Sequence, residues 1–155
     1  MVRGILLTSL ALVLAAGLLP YLRNAEKEPL TDPARAQAPG RLLALGHGLV
    51  HFTLSGPDNG PVVVFVHGFS VPSYTWRNNT RPLADAGYRV LSFDLYGRGY
   101  SDRPLTAYDR SLFTSQLKDL LDKRGLRGPL PASVGRLGHE VFRRTVRTSA
   151  RGAGS

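Results

Sequence analysis

The sequence predicts an α/β fold: a partial sheet of four strands with two helices, preceded by an N-terminal hydrophobic helix and followed by a basic irregular tail. Three observations carry this prediction. The first is Val62-Val63-Val64-Phe65-Val66, five apolar residues, four of them β-branched, that run without a polar break into His67-Gly68. A run this short and this rich in Val reads as a strand buried on both faces. The second is Tyr88-Arg89-Val90-Leu91-Ser92-Phe93, a comparable run that ends at Asp94. One helix pattern lies between the two runs, the arrangement of a right-handed parallel βαβ crossover. The third is an amphipathic helix that opens at Asp109 and stops at Gly125.

The 155 residues provide one domain of ordinary size, and a 43% hydrophobic fraction supplies its core. The absence of cysteine excludes disulfides, thiolate metal sites and cysteine nucleophiles. The four histidines, His47, His51, His67 and His139, lack the H-E-x-x-H spacing, so neither a metal nor any other cofactor is expected. The net charge of +9 is unevenly placed: residues 1–122 hold twelve Lys/Arg against ten Asp/Glu, and residues 123–155 hold eight against one. The basicity therefore belongs to a tail rather than to a nucleic-acid-binding body, and nucleic acid is not an expected partner.

In chain order, Gly4 to Leu22 is a run of nineteen uncharged residues flanked by Arg3 and by Tyr21 and Arg23. Two main readings fit residues 1–23, ahead of a buried core helix: an uncleaved transmembrane anchor of nearly the required length, or a secretory signal with Ala15-Ala16-Gly17 as its small-residue cleavage site. The expected location is membrane-associated or exported, with the orientation open, and residues 4–22 would make the membrane a partner. Residues 24–40, with three prolines and interspersed charges, read as a linker. Leu42-Leu43-Ala44-Leu45 and Leu49 to Leu54, separated by Gly46-His47-Gly48, predict an antiparallel hairpin; Val50, Phe52 and Leu54 alternate with His51 and Thr53 as in a half-exposed strand. His47 and His51 are accordingly expected at the surface or in a turn.

The turn cluster Gly56-Pro57-Asp58-Asn59-Gly60-Pro61 launches the Val62 strand. Residues 71–79 are expected as a loop or a single helical turn, with Thr80 capping a helix, Pro82 in its first turn and Gly87 ending it. After Asp94 comes a glycine-punctuated loop. Its Gly97-x-Gly99 lacks the third glycine and the helix start of a dinucleotide cradle, so phosphate binding is not expected. On the Asp109–Gly125 helix, Leu112, Phe113, Leu117, Leu120 and Leu121 form the apolar face, with Gln116 among the polar positions.

Taken together, residues 41–122 resemble the amino-terminal half of an α/β hydrolase of the serine, esterase-lipase type. The resemblance rests on the strand into His67-Gly68-Phe69-Ser70, then Tyr74-x-Trp76, then Asp94-Leu95-Tyr96-Gly97-Arg98-Gly99-Tyr100-Ser101, in family order and spacing. It implies a hydrolase domain over 41–125, acting on a small-molecule ester or lipid. It also implies that the backbone N–H of Phe69 is half of an oxyanion hole, supported by His67, Gly68 and Ser70. His67 and Asp94 are then structural, as are Gly97 and Gly99 in the second loop. The family next requires Gly-x-Ser-x-Gly, an acid and a histidine. The nearest approach is Pro131-Ala132-Ser133-Val134-Gly135, with proline at the first glycine and no strand signal before it, and His139 follows too closely to be the base. The expectation is a chain truncated before its nucleophile and inactive by itself. The Arg/Gly/Ala-rich sequence of the tail, 126–155, reads as loss of the coding frame after Gly128-Pro129. The alternative is a non-catalytic half-domain for binding or assembly, with a basic membrane- or nucleic-acid-binding arm.

Overall fold

The structure, a computed structural model, describes residues 30, 32–68, 70–128 and 130–133, together with 12–15, 17 and 143. Two compact units divide the chain, Met1–Ala34 and Arg35–Ser155. In the first, residues 12–15 and 17 are helical. Among the described residues no helix is long and apolar enough to cross a membrane. This corrects the expectation of a single N-terminal anchor over residues 4–22 and the membrane-associated or exported location drawn from it. A span needs about 20 helical residues in one run, and the rest of that stretch lies outside the described residues.

The order of elements is α1 (Asp32–Ala36), β1 (Arg41–Leu45), β2 (Gly48–Ser55), β3 (Val62–Val66), a 3-10 turn (Ser73–Trp76), α2 (Arg77–Asp85), β4 (Arg89–Phe93), α3 (Arg110–Arg124) and β5 (Leu130–Ser133). They build one mixed sheet in the order β1-β2-β4-β3-β5. The β1–β2 hairpin is antiparallel, as the Gly46-His47-Gly48 break predicts, with Leu45 opposite Gly48. β2 also pairs antiparallel with β4, while β3 and β4 run parallel on either side of the α2 crossover.

β3 lies inside the sheet, between β4 and β5, and both of its faces are apolar. Val62, Val64 and Val66 point into the main core with Val50, Phe52, Leu91, Phe93 and the inner face of α3. Val63 and Phe65 point the other way, into a smaller cluster with Val90, Trp76, Leu83 and Tyr88. There the Trp76 ring stacks on Phe65 at 4.4 Å with planes 7° apart. Each fully buried Val or Phe contributes about 1.5–3 kcal/mol, and all five β3 residues are buried.

α3 follows its sequence signals closely. Asp109 caps it by accepting the Leu112 N–H at 2.9 Å, and Gly125 ends it with φ of 65°, a left-handed C-cap. α2 differs: it starts at Arg77, not at Thr80. Thr80 is internal and donates its hydroxyl back to Trp76 O at 3.1 Å, because the 3-10 turn at Ser73–Trp76 has already nucleated the helix.

The largest difference lies past Pro129. Leu130–Ser133, within the stretch expected as irregular tail, pairs parallel with β3, with Val63 opposite Leu130 and Val66 opposite Ser133. Backbone pairing to an exposed strand edge asks little of side-chain pattern, so Leu-Pro-Ala-Ser serves without the Val/Ile-rich signature of a buried strand. The strand missing from the sequence signal before Ser133 is present.

Candidate functional site

The two loops that the sequence singles out leave the carboxyl ends of adjacent parallel strands, β3 and β4, the edge at which open α/β sheets place their ligand sites. The first begins at His67, which is wholly buried. Its Nε2 accepts the Leu95 N–H at 2.9 Å and its Nδ1 faces Gly68 O at 2.6 Å. One ring nitrogen thus meets a donor and the other an acceptor, which the neutral imidazole with its proton on Nδ1 satisfies. Burial works in the same direction and carries its pKa below the ordinary histidine value, against smaller opposing contributions from Gly68 and Asp94. His67 therefore ties the β3 corner to the start of the β4 loop. Gly68 is half-buried and Ser70 exposed. Phe69 lies outside the described residues.

The second loop is organised by Asp94, 1% exposed. Its carboxylate accepts the Ser73 N–H at 2.8 Å, the Tyr100 N–H at 3.0 Å and a proton from His51 Nδ1 at 2.9 Å. Its backbone carbonyl accepts from Ser101 Oγ and Gln116 Nε2, and its N–H donates to His51 O. Burial raises the cost of the charge, but the hydrogen bonds from His51, Ser73 and Tyr100 outweigh it and hold the carboxyl below its usual range. Gly99 is required here: at φ of 51°, a Cβ would sit 2.1 Å from Asp94 Oδ2. Gly97, at φ of 78°, likewise has no room, because a Cβ would reach within 2.6 Å of the Tyr108 ring.

Two expectations change at this point. His51, expected at the surface, is 3% exposed and paired with Asp94. The alternation rule failed there because a carboxylate 43 residues away waits on the face the side chain enters. Gln116, expected among the polar positions of α3, is 1% exposed. Its amide donates to Asp94 O and accepts from the Tyr96 N–H, bracing the second loop from below. No sequence signal distinguishes it from an exposed Gln. His47, by contrast, is exposed.

A cavity of about 390 Å³ opens beside the two loops, lined by Gly68, Leu95, Tyr96, Tyr108 and Phe113, with Arg98 and Arg103. Its walls are mostly apolar with a few polar groups, the usual make-up of a small-molecule site. Among the described residues no cluster of His, Asp or Glu is placed to hold a metal ion.

The fold has known relatives. Residues 63–139 match the model of the alpha/beta hydrolase family. An epoxide hydrolase A from Mycobacterium tuberculosis is 45% identical over 73 residues, 46% of this chain and 23% of that protein. A haloalkane dehalogenase from Mycobacterium marinum is 44% identical over 63 residues, 41% of this chain and 21% of that protein. The crystal structure of epoxide hydrolase A from Mycobacterium thermoresistibile superposes with a TM-score of 0.63 at 30% identity, covering 69% of this chain and 34% of that one. The chain thus spans about a quarter or less of the two curated relatives' length. The family match runs on to residue 139, beyond Gly128-Pro129, where the sequence composition had suggested that the family register ends.

Proposed function

Because this chain is of the α/β hydrolase fold family, we propose that it presents the oxyanion side of a hydrolase site for a small-molecule acyl substrate, an ester or lipid. In this reading the backbone N–H of Phe69 stabilises the negative charge that develops on the substrate oxygen, an interaction worth about 3 kcal/mol per donor. His67, Gly68 and Ser70 hold that corner, and Asp94, Gly97 and Gly99 hold the loop beside it. The observation that carries the reading is the β3 corner itself: a buried strand whose terminal His67 is locked to Leu95, opening through Gly68 onto an apolar cavity. The similar proteins are named for epoxides and haloalkanes, so the assay panel includes both alongside esters.

The register of β5 bears on the nucleophile. Ser133 stands level with Val66, three residues short of Phe69. Ser133 is thus held within the β3–β5 ladder, not on a turn past a strand end where the family's nucleophile belongs. The chain is accordingly read as lacking its own nucleophile. The full chain is expected to turn over neither a p-nitrophenyl ester, an aryl epoxide nor a chloroalkane. Hydrolysis of any of them that disappears in Ser133→Ala would overturn this part of the proposal.

A further inference from the structure

We propose that His51 is a positioning residue, a buried imidazolium whose two N–H groups clamp Asp94 on one side and the Pro39 carbonyl on the other. The observation is the pair of partners. Nδ1 meets the Asp94 carboxylate and Nε2 meets Pro39 O, and both of these are acceptors with no proton to give. A neutral imidazole has one donor and one acceptor nitrogen, so it would set a lone pair against one of these oxygens; only the charged ring satisfies both. The ring is 3% exposed, which leaves water little access to either nitrogen.

The groups facing His51 come from several segments. Asp94 and Tyr100 belong to the loop after β4, with the Tyr100 ring edge-on at 5.2 Å. Ser101, on the same loop, accepts the His51 backbone N–H at 3.0 Å. Pro39 belongs to the segment before β1. Arg77, at the start of α2, lines the same cavity of about 410 Å³ on this side of the sheet. Asp94 is the carboxylate among them, and Arg77 is the cation that lines the same cavity. Burial works against the charge on the ring, but the hydrogen bonds to Asp94 and Pro39 and the attraction of Asp94 outweigh it, raising the pKa above the ordinary histidine value.

The consequence reaches the candidate site. With His51 charged, Asp94 stays ionised while buried, and an ionised Asp94 is what holds the Ser73 and Tyr100 amides, one on each loop. When His51 loses its proton, either the Pro39 contact or the Asp94 contact must open, and where the Asp94 contact opens the carboxylate that anchors both loops is left buried without its counter-charge. The first of these loops includes Phe69 in sequence, but the clamp rests on hydrogen bonds among described residues alone, so it can hold or fail independently of the hydrolase reading.

The test uses the full chain. The ring nitrogens of its histidines are followed by NMR from pH 5 to 9, alongside hydrogen-exchange protection of the Ser73 and Tyr100 amides. His51 is expected to remain doubly protonated at pH values where free imidazole, with a pKa of about 6.5, is neutral. The protection of both amides, corrected for intrinsic exchange, is expected to fall by about tenfold or more as His51 titrates. In Asp94→Asn the His51 midpoint should move to lower pH. A His51 midpoint at or below the free value would overturn the proposal, as would Ser73 and Tyr100 protection that ignores it. Should Asp94→Asn fail to fold, the unsubstituted chain decides the matter by itself.

Discussion

His51 and His67 are both buried histidines beside the same aspartate-centred loop, yet their surroundings ask opposite things of them. His67 lies between a backbone N–H from Leu95 and the Gly68 carbonyl, one donor and one acceptor, and neutrality satisfies both. His51 lies between a carboxylate and a carbonyl, two acceptors, and a second proton is required. Burial depresses the pKa of each. At His67 nothing offsets it enough, whereas at His51 the contacts to Asp94 and Pro39 reverse the outcome. What separates the two sites is the identity of the atoms at the ring, not the depth of the pocket. A buried histidine is read from its partners before its exposure.

Three experiments break or sharpen that contrast. The largest effect is expected for Asp94→Ala, which leaves the His51 charge buried without a partner and frees the Ser73 and Tyr100 amides. Loss of one member of a buried pair costs about 3–5 kcal/mol. A denaturant midpoint that hardly moves would show that His51 sheds its proton freely, and the contrast would collapse.

His67→Phe comes next. It strands the Leu95 N–H in the core at a cost of about 1–3 kcal/mol, and its pH signature should run opposite to that of His51. The folded pKa of His67 is lowered, so the unfolded chain binds the proton first as pH falls below the ordinary value. His67 therefore subtracts stability on the acid side, and His67→Phe should flatten that loss. The folded pKa of His51 is raised, so its contribution is complete below the ordinary value and is lost as pH rises through the folded pKa. Melting temperatures of the unsubstituted chain and His67→Phe, measured from pH 5 to 9, check both signs. Identical pH profiles would sink the assignment of His67 as a neutral ring.

The smallest effect calibrates the others. Asp109→Ala removes the α3 cap, distant in role from either histidine, and should cost about 1 kcal/mol with no change in the His51 titration. If it moves that titration, the loop and α3 are coupled through Gln116 more tightly than separate hydrogen bonds imply.

Much of this was legible in the residues. Val62–Val66 announces a two-sided buried strand, and the structure buries every member of it. The α3 boundaries follow from Asp109 and Gly125, and His67-Gly68 marks the carboxyl end of β3. The misses share a cause. His51 was placed outside by a period-2 pattern that reads hydrophobicity but cannot see an ion-pair partner. Gln116 was placed outside by a helical pattern with the same blindness. β5 leaves no mark in the sequence because its Leu-Pro-Ala-Ser segment has little strand character of its own.

By itself, then, the sequence determined the elements whose signals are local: strand runs, helix caps, turn glycines and the order of motifs that identifies the family. These depend on neighbours within a few residues, where propensity and periodicity act. Only the tertiary structure decided which polar groups go inside, which edge accepts β5 and which histidine must carry charge. Each of those depends on a partner brought in from a distant part of the chain. His51 and Asp94 are 43 residues apart in sequence and 2.9 Å apart in space, and nothing near either one records the other.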